Sequence, residues 1–236
     1  MDKIDILAVG AHPDDVELSC AGTLLKQKSL GYTTGIIDLS EGELGTRGTV
    51  HTRREEAKRA SEILKLDIRE NLKLPDGYIN PFNNEQLLVL IDAIRKYKPS
   101  IVLTNAIEDR HPDHGNACQL IERACFLSGL PKIESNHPSW RPKHVFNYIQ
   151  DRYVKPHFVV DITSFWNLKI ESIRAYKTQF YDPESKEPNT YISSPRFLDY
   201  VEARNRDFGR FCNAEYAEGF TSKSVIGIQN LMTDLT

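Results

Sequence analysis

The chain has 236 residues, 40% of them apolar and 27% charged, with a formal charge of -3, a pI near 6.2 and a mean hydropathy of -0.45. Such a composition supplies a folded core and excludes a disordered chain, and the mild acidity lacks the basic footprint of a nucleic-acid binder. The length suits one α/β domain over residues 1–236, and the opening apolar run is too short for a signal sequence or a membrane span, so the expectation is a cytoplasmic protein with no membrane partner.

The run "IDILAVG" (4–10) reads as a strand, and "CAGTLLKQKSLGY" after it as a helix with Leu24, Leu25 and Leu30 on one face. "TTGIIDLS" (33–40) is a second strand. A glycine-rich stretch, "EGELGTRGTVHT", leads to the helix "RREEAKRASEILKL", where Ala57, Ala60, Ile63 and Leu64 keep a helical period. "ENLKLPDGYI" (70–79) reads as an edge strand, "EQLLVLIDAIRKYK" (85–98) as a helix, "SIVLTNAI" (100–107) as a buried strand and "GNACQLIERACFLSG" (115–129) as the next helix. This alternation argues for right-handed βαβ units and a mostly parallel sheet with helices on both faces.

The last third is less regular. "HVFNYIQD" and "HFVVDIT" read as strands, "SFWNLKIESIRAYKTQF" and "PRFLDYVEARNRDFGRF" as helices, and "YDPESKEPNTYISSP" (181–195) as a long loop of the kind that lines or covers a binding site. Cys20, Cys118, Cys125 and Cys212 show no paired spacing and read as reduced, mostly buried thiols.

Two motifs, "HPDD" (12–15) and "HPDH" (111–114), each follow an apolar strand and precede a helix. Both therefore sit at carboxyl ends of strands, where open α/β sheets bind ligands. Within each, the outer residues are three apart, and helix-entering turns put such positions on one side. Two imidazoles and a carboxylate suit an open catalytic metal site, and the candidate ligands are His12, Asp15 and His114. Helix capping is the competing explanation for either motif alone. Two of them at two strand ends make it the weaker one.

"AHPDDVE", "GELGTRGT" followed by "RREEA", "RHPDH" and "YAEGF" (216–220) resemble the LmbE-like or PIG-L-like N-acetylglucosamine deacetylases, over residues 4 to 222. "TVHTRREEAKRASEIL", "LPDGYI" and the "DIT" strand leading to "IRAYKTQF" are similar to the bacillithiol-biosynthesis branch, which deacetylates N-acetylglucosaminyl malate. The resemblance implies a Rossmann-like sheet, a homo-oligomer, an amino-sugar conjugate as substrate, and amide hydrolysis with Zn2+, or Fe2+ as the alternative, on His12, Asp15 and His114. Asp14 is then the general base beside the metal-bound water. His111, oriented by Asp113 or another carboxylate, stabilises the oxyanion as imidazolium and protonates the leaving amine. Arg53 and Asp76 match positions expected to hold sugar hydroxyls, with Arg47 and Arg54 as competitors, and Arg110 is a candidate to pair with a substrate carboxylate.

The chain departs from the family at one place. Some members add a tyrosine to the oxyanion site, whereas Asp109 stands two residues before His111, and the late loop offers Phe197 with Tyr191 and Tyr200 nearby. Three rival readings compete with the deacetylase. A non-haem iron oxygenase shares the donor set but sits on a β-rich barrel. A dinucleotide-binding module lacks its GxGxxG, because the first loop reads "GAHPDD". A sugar-binding protein without activity would retain these side chains unused.

Overall fold

A computed structural model describes residues 3–230. Its strands are β1 (Ile6–Gly10), β2 (Thr34–Asp38), β3 (Ile68–Asn71), β4 (Ile101–Thr104), β5 (His144–Tyr148), β6 (Phe158–Asp161) and β7 (Ala217–Thr221), joined in one sheet in the order β3-β2-β1-β4-β5-β7-β6. From β3 to β5 every pairing is parallel. β7 runs antiparallel to both of its neighbours. The fold is the expected mostly parallel α/β sheet.

Every residue of β1 and β2 is buried, because helices cover both faces of the sheet and leave no solvent side for polar alternation. On one face Leu7, Val9, Ile37 and Val102 pack with α4 (Asn84–Tyr97) and α5 (Pro112–Leu127). On the other, Ile6, Ala8, Ile36 and Leu103 meet Val16 of α1 (Asp15–Ser19), Leu24 and Leu25 of α2 (Ala21–Ser29) and Leu64 of α3 (Val50–Leu64). Beyond them α3, α6 (Trp166–Arg174) and α7 (Phe197–Gly209) share a cluster that includes Ala60, Ile173 and Val201. Thr49 and Asn83 fix the starts of α3 and α4 by accepting the backbone N–H of Thr52 and Gln86.

Two segments differ from expectation. The strand expected over 70–79 contributes only Glu70 and Asn71 to β3, and the chain leaves the sheet through Lys73, whose φ of 55° is left-handed. β7 comes from "AEGFT", which the periodicity did not mark, since a glycine and a glutamate interrupt its apolar run. That glutamate, Glu218, is buried against Lys169 at 2.6 Å and also accepts the backbone N–H of Gly22 and Thr23 at the start of α2. Cys20, Cys118 and Cys125 are buried thiols and Cys212 is half-buried, none of them bridged. Among the described residues no helix is long and apolar enough to cross a membrane.

β1 lies between β2 and β4, so the chain runs outward from it in both directions. The loops that leave β1 and β4 therefore share one crevice at the carboxyl edge of the sheet.

Candidate active site

The first loop folds back tightly at Gly10, where a Cβ would stand 3.0 Å from Asp15 Cβ and 3.2 Å from His12 O. Asp14 follows with φ 107° and ψ -22°, a strained region for a residue with a side chain. The turn sends the two adjacent carboxylates to different partners. Asp14 Oδ2 accepts from Arg53 Nη2 at 2.8 Å. Asp15 lies 3.0 Å from His114 Nε2 and 3.7 Å from His12 Nδ1, and accepts from Asn105 Nδ2, Gln150 Nε2 and the His12 N–H at 3.0 to 3.1 Å.

In the second loop His111 caps α5, its Nδ1 accepting the Asp113 N–H at 3.2 Å, and Pro112 opens the helix. The rings of His12, His111 and His114 gather with centroids 4.7 to 5.6 Å apart. Each outer imidazole has a carboxylate behind it. His114 Nδ1 is 2.5 Å from Asp109 Oδ2, and His12 Nε2 is 2.9 Å from Asp76 Oδ1 and 3.6 Å from Asp113 Oδ2. The backing carboxylates are held in turn by backbone N–H groups: Leu44 for Asp76, Gly77 for Asp113, and Asp151 with Arg152 for Asp109.

Charge explains the proton affinities. Asp15, Asp76, Asp109 and Asp113 contact the imidazoles of His12 and His114, and Asp14 pairs with Arg53. Burial depresses His12, but hydrogen bonds to Asp113, Asp15 and Asp76 outweigh it and hold its pKa well above the ordinary value. Burial likewise opposes a charge on His114, yet Asp15 and Asp109 lift it to about 9. Burial raises Asp15, and the His114 charge more than reverses this, leaving its pKa well below the usual range. Asp76 falls to about 2 because hydrogen bonding and attraction to His12 exceed its burial penalty. Asp14 goes the other way. Burial pushes it up to about 7 despite Arg53, with Asp15 adding repulsion.

The carboxylates thus raise the proton affinity of both outer imidazoles, as expected of a site built for a cation. The donor set fits a divalent ion: His12 Nδ1 and His114 Nε2 are the nitrogens left open by the backing carboxylates, and Asp15 stands between them. Nitrogens of His12, His111 and His114 also lie within 4.8 Å of one another, and so do donor atoms of His12, Asp76 and Asp113. In the second of these groups both carboxylates share the same imidazole nitrogen, which describes backing groups rather than a cage.

One expectation needs correction. Asp113 does not orient His111 with its carboxylate, which turns to the Gly77 N–H and His12; only its backbone N–H reaches His111. Burial and the neighbouring charges of His12 and His114 lower the pKa of His111. Arg53 and Asp76 line the cavity but are engaged by protein: Asp76 by His12 and Leu44 N–H, Arg53 by Asp14, the Pro13 carbonyl and Gln179 Oε1. Of the competing arginines, Arg54 pairs with Glu41 outside the cavity and Arg47 donates to Ser185. Arg110 lines the cavity, 3.3 Å from Asp151 and 4.5 Å above the Tyr191 ring.

The cavity around these groups measures about 840 Å³. One wall comes from the loop 181–195 and α7, with Tyr191, Phe197 and Tyr200. That loop is tied down at its far end by Ser185 to Arg47 and by Glu187 to the Gly48 N–H. Asp109, two residues before His111, backs His114. Its place five residues before that histidine was the available signal.

Residues 7–125 match the family model described as PIG-L, GlcNAc-PI de-N-acetylase. The chain is 28% identical over 232 residues to the diacetylchitobiose deacetylase of Thermococcus kodakarensis, covering 92% of this chain and 82% of that protein. A probable N-acetyl-alpha-D-glucosaminyl L-malate deacetylase 2 of Bacillus anthracis is 25% identical over 190 residues, 74% of this chain and 81% of that protein. The crystal structure of a conserved protein from Thermus thermophilus superimposes with a TM-score of 0.87 at 36% identity, over 95% of this chain and 97% of the other.

Proposed function

The chain belongs to the PIG-L family of GlcNAc-PI de-N-acetylases, and from that premise we propose that it is a metal-dependent N-deacetylase acting on an N-acetylglucosamine conjugate. The carrying observation is the pairing of a carboxylate behind each outer imidazole with Asp15 between them, beside an Asp14 held near neutrality. A divalent ion on His12, Asp15 and His114, zinc or ferrous iron, would lower the pKa of a water molecule and polarise the acetyl carbonyl.

The chain's own groups supply the rest. Asp14 removes a proton from the attacking water, and a carboxyl near 7 is suited to both accept and release it. Water oxygen bonds to the acetyl carbon. Because His111 Nδ1 accepts the Asp113 N–H, the neutral ring carries its proton on Nε2 and can donate a hydrogen bond to the forming oxyanion. The C–N bond then breaks, the amine takes the proton held by Asp14, and acetate and the amino sugar leave.

For the substrate we favour N-acetylglucosaminyl malate, on the sequence segments shared with the malate-conjugate branch. The greater identity and coverage of the diacetylchitobiose deacetylase support a neutral disaccharide as the second reading. Acetate release from both compounds by the purified protein, before and after chelation, tests the activity and separates the two. Turnover undiminished in fully chelated protein would remove the metal from the mechanism.

A further inference from the structure

We propose that Arg204 determines specificity by pairing with a carboxylate on the aglycone of the substrate. The inference rests on the deacetylase reading only for what occupies the cavity. Its basis is the difference between the charges in the cavity wall.

Three arginines line the cavity: Arg53, Arg110 and Arg204. Arg53 is committed to Asp14 and Arg110 to Asp151. Asp207, a further acid in the wall, pairs with Arg210 at 2.8 Å. Arg204 differs from the other two. Its hydrogen bonds run to two backbone carbonyls, Leu18 O at 2.9 Å and Gln150 O, and among the described residues no carboxylate pairs with it. Burial lowers its pKa even though Asp151, Asp109 and Glu218 attract its charge from beyond ion-pair distance.

A half-buried cation with no carboxylate in direct contact carries a desolvation cost that a ligand anion placed against it would relieve. The planar fork of arginine matches a carboxylate in two parallel hydrogen bonds. Its location is the cavity wall beside the proposed ligand set. Arg204 lies in the α7 wall that also presents Tyr200, while Gln150, whose carbonyl it holds, reaches Asp15 Oδ1 with its side chain at 3.0 Å. The cation is therefore one residue removed from the proposed ligand set, and too engaged with backbone to turn outward without breaking two bonds.

The test compares N-acetylglucosaminyl malate with its dimethyl ester, which has nearly the same shape and no charge. Equilibrium dissociation constants are measured by calorimetry on the metal-loaded protein, and kcat/KM by acetate release. The unmodified protein should bind the diacid about 10- to 100-fold more tightly than the diester. Arg204→Gln should bring that ratio close to one, and Arg204→Lys should restore part of it. A role in merely positioning Gln150 and Asp15 would weaken both ligands alike and leave the ratio intact, which overturns the proposal. So would equal affinity of the unmodified protein for the two ligands. Should neither compound release acetate while the binding ratio still depends on Arg204, the catalytic reading fails and this one stands. Melting curves of both variants confirm that a collapsed ratio comes from folded protein.

Discussion

Arg53 Nη2 lies 2.8 Å from Asp14 Oδ2, yet Asp14 keeps a pKa near 7. The arginine does not cancel the burial penalty; it shares its donors with the Pro13 carbonyl and Gln179. Asp14→Asn should lower kcat by about 10²- to 10⁴-fold, the usual contribution of a general base, while the metal content stays unchanged. Asp15→Asn should instead release the metal. Stoichiometry by atomic absorption beside kcat distinguishes the two roles, and the opposite pattern would reverse them.

The carboxylates behind the imidazoles lead to a second expectation. Asp109→Asn and Asp76→Asn each replace a charged partner of a ring nitrogen by a neutral one. Each should weaken metal affinity by about 10- to 100-fold with the ligands themselves intact. Competition against a chromogenic chelator reads this directly. If affinity is unchanged, these acids do not serve the metal.

Stability of the metal-free protein should depend on pH through Asp14. Its folded pKa, about 7, is raised above the ordinary 3.8, so the folded state binds the proton more tightly than the unfolded chain does. That contribution is fully present below the unfolded pKa and is lost as pH rises through about 7. Asp14→Asn never ionises. Its melting temperature should therefore exceed that of the unmodified protein by about 10 °C at pH 8, and the gap should close by about pH 4. A gap that is constant across this window would falsify the assignment.

Lys169 and Glu218 form a fully buried ion pair. Lys169→Met should cost about 3 to 5 kcal/mol, because it leaves Glu218 charged and without a cation in the core. Adding Glu218→Gln should recover part of the loss, since the amide still accepts the N–H groups of Gly22 and Thr23. Urea titrations of the single and double variants measure both. A double variant no more stable than Lys169→Met would show that the charge of Glu218 was not the source of the loss.

The parts of the site that could be read from the sequence are local ones. His12 with Asp15 and His111 with His114 are set by spacing inside one turn, and the strand before each turn is an uninterrupted apolar run. Partners fixed by packing were not legible. Asp76 reaches His12 across 64 positions, and nothing in "LPDGYI" marks which of its neighbours that carboxylate will meet. Arg204 sits in a helix crowded with charges, where periodicity suggests a solvated face. β7 escaped notice because Glu218 interrupts it, and the reason for an acid there appears only once Lys169 is beside it.

β7 also fixes the order in which the sheet can be assembled. It stands between β5 and β6, though it follows both in the chain, after α6 and α7. During synthesis β1 to β5 can pair as they leave the ribosome, whereas β6 must wait, unpaired, for a strand made later. Until β7 arrives, Lys169 has no Glu218 and the start of α2 lacks its acceptor. A nascent chain stalled before residue 217 would thus display the five parallel strands β1 to β5 with an open edge at β5.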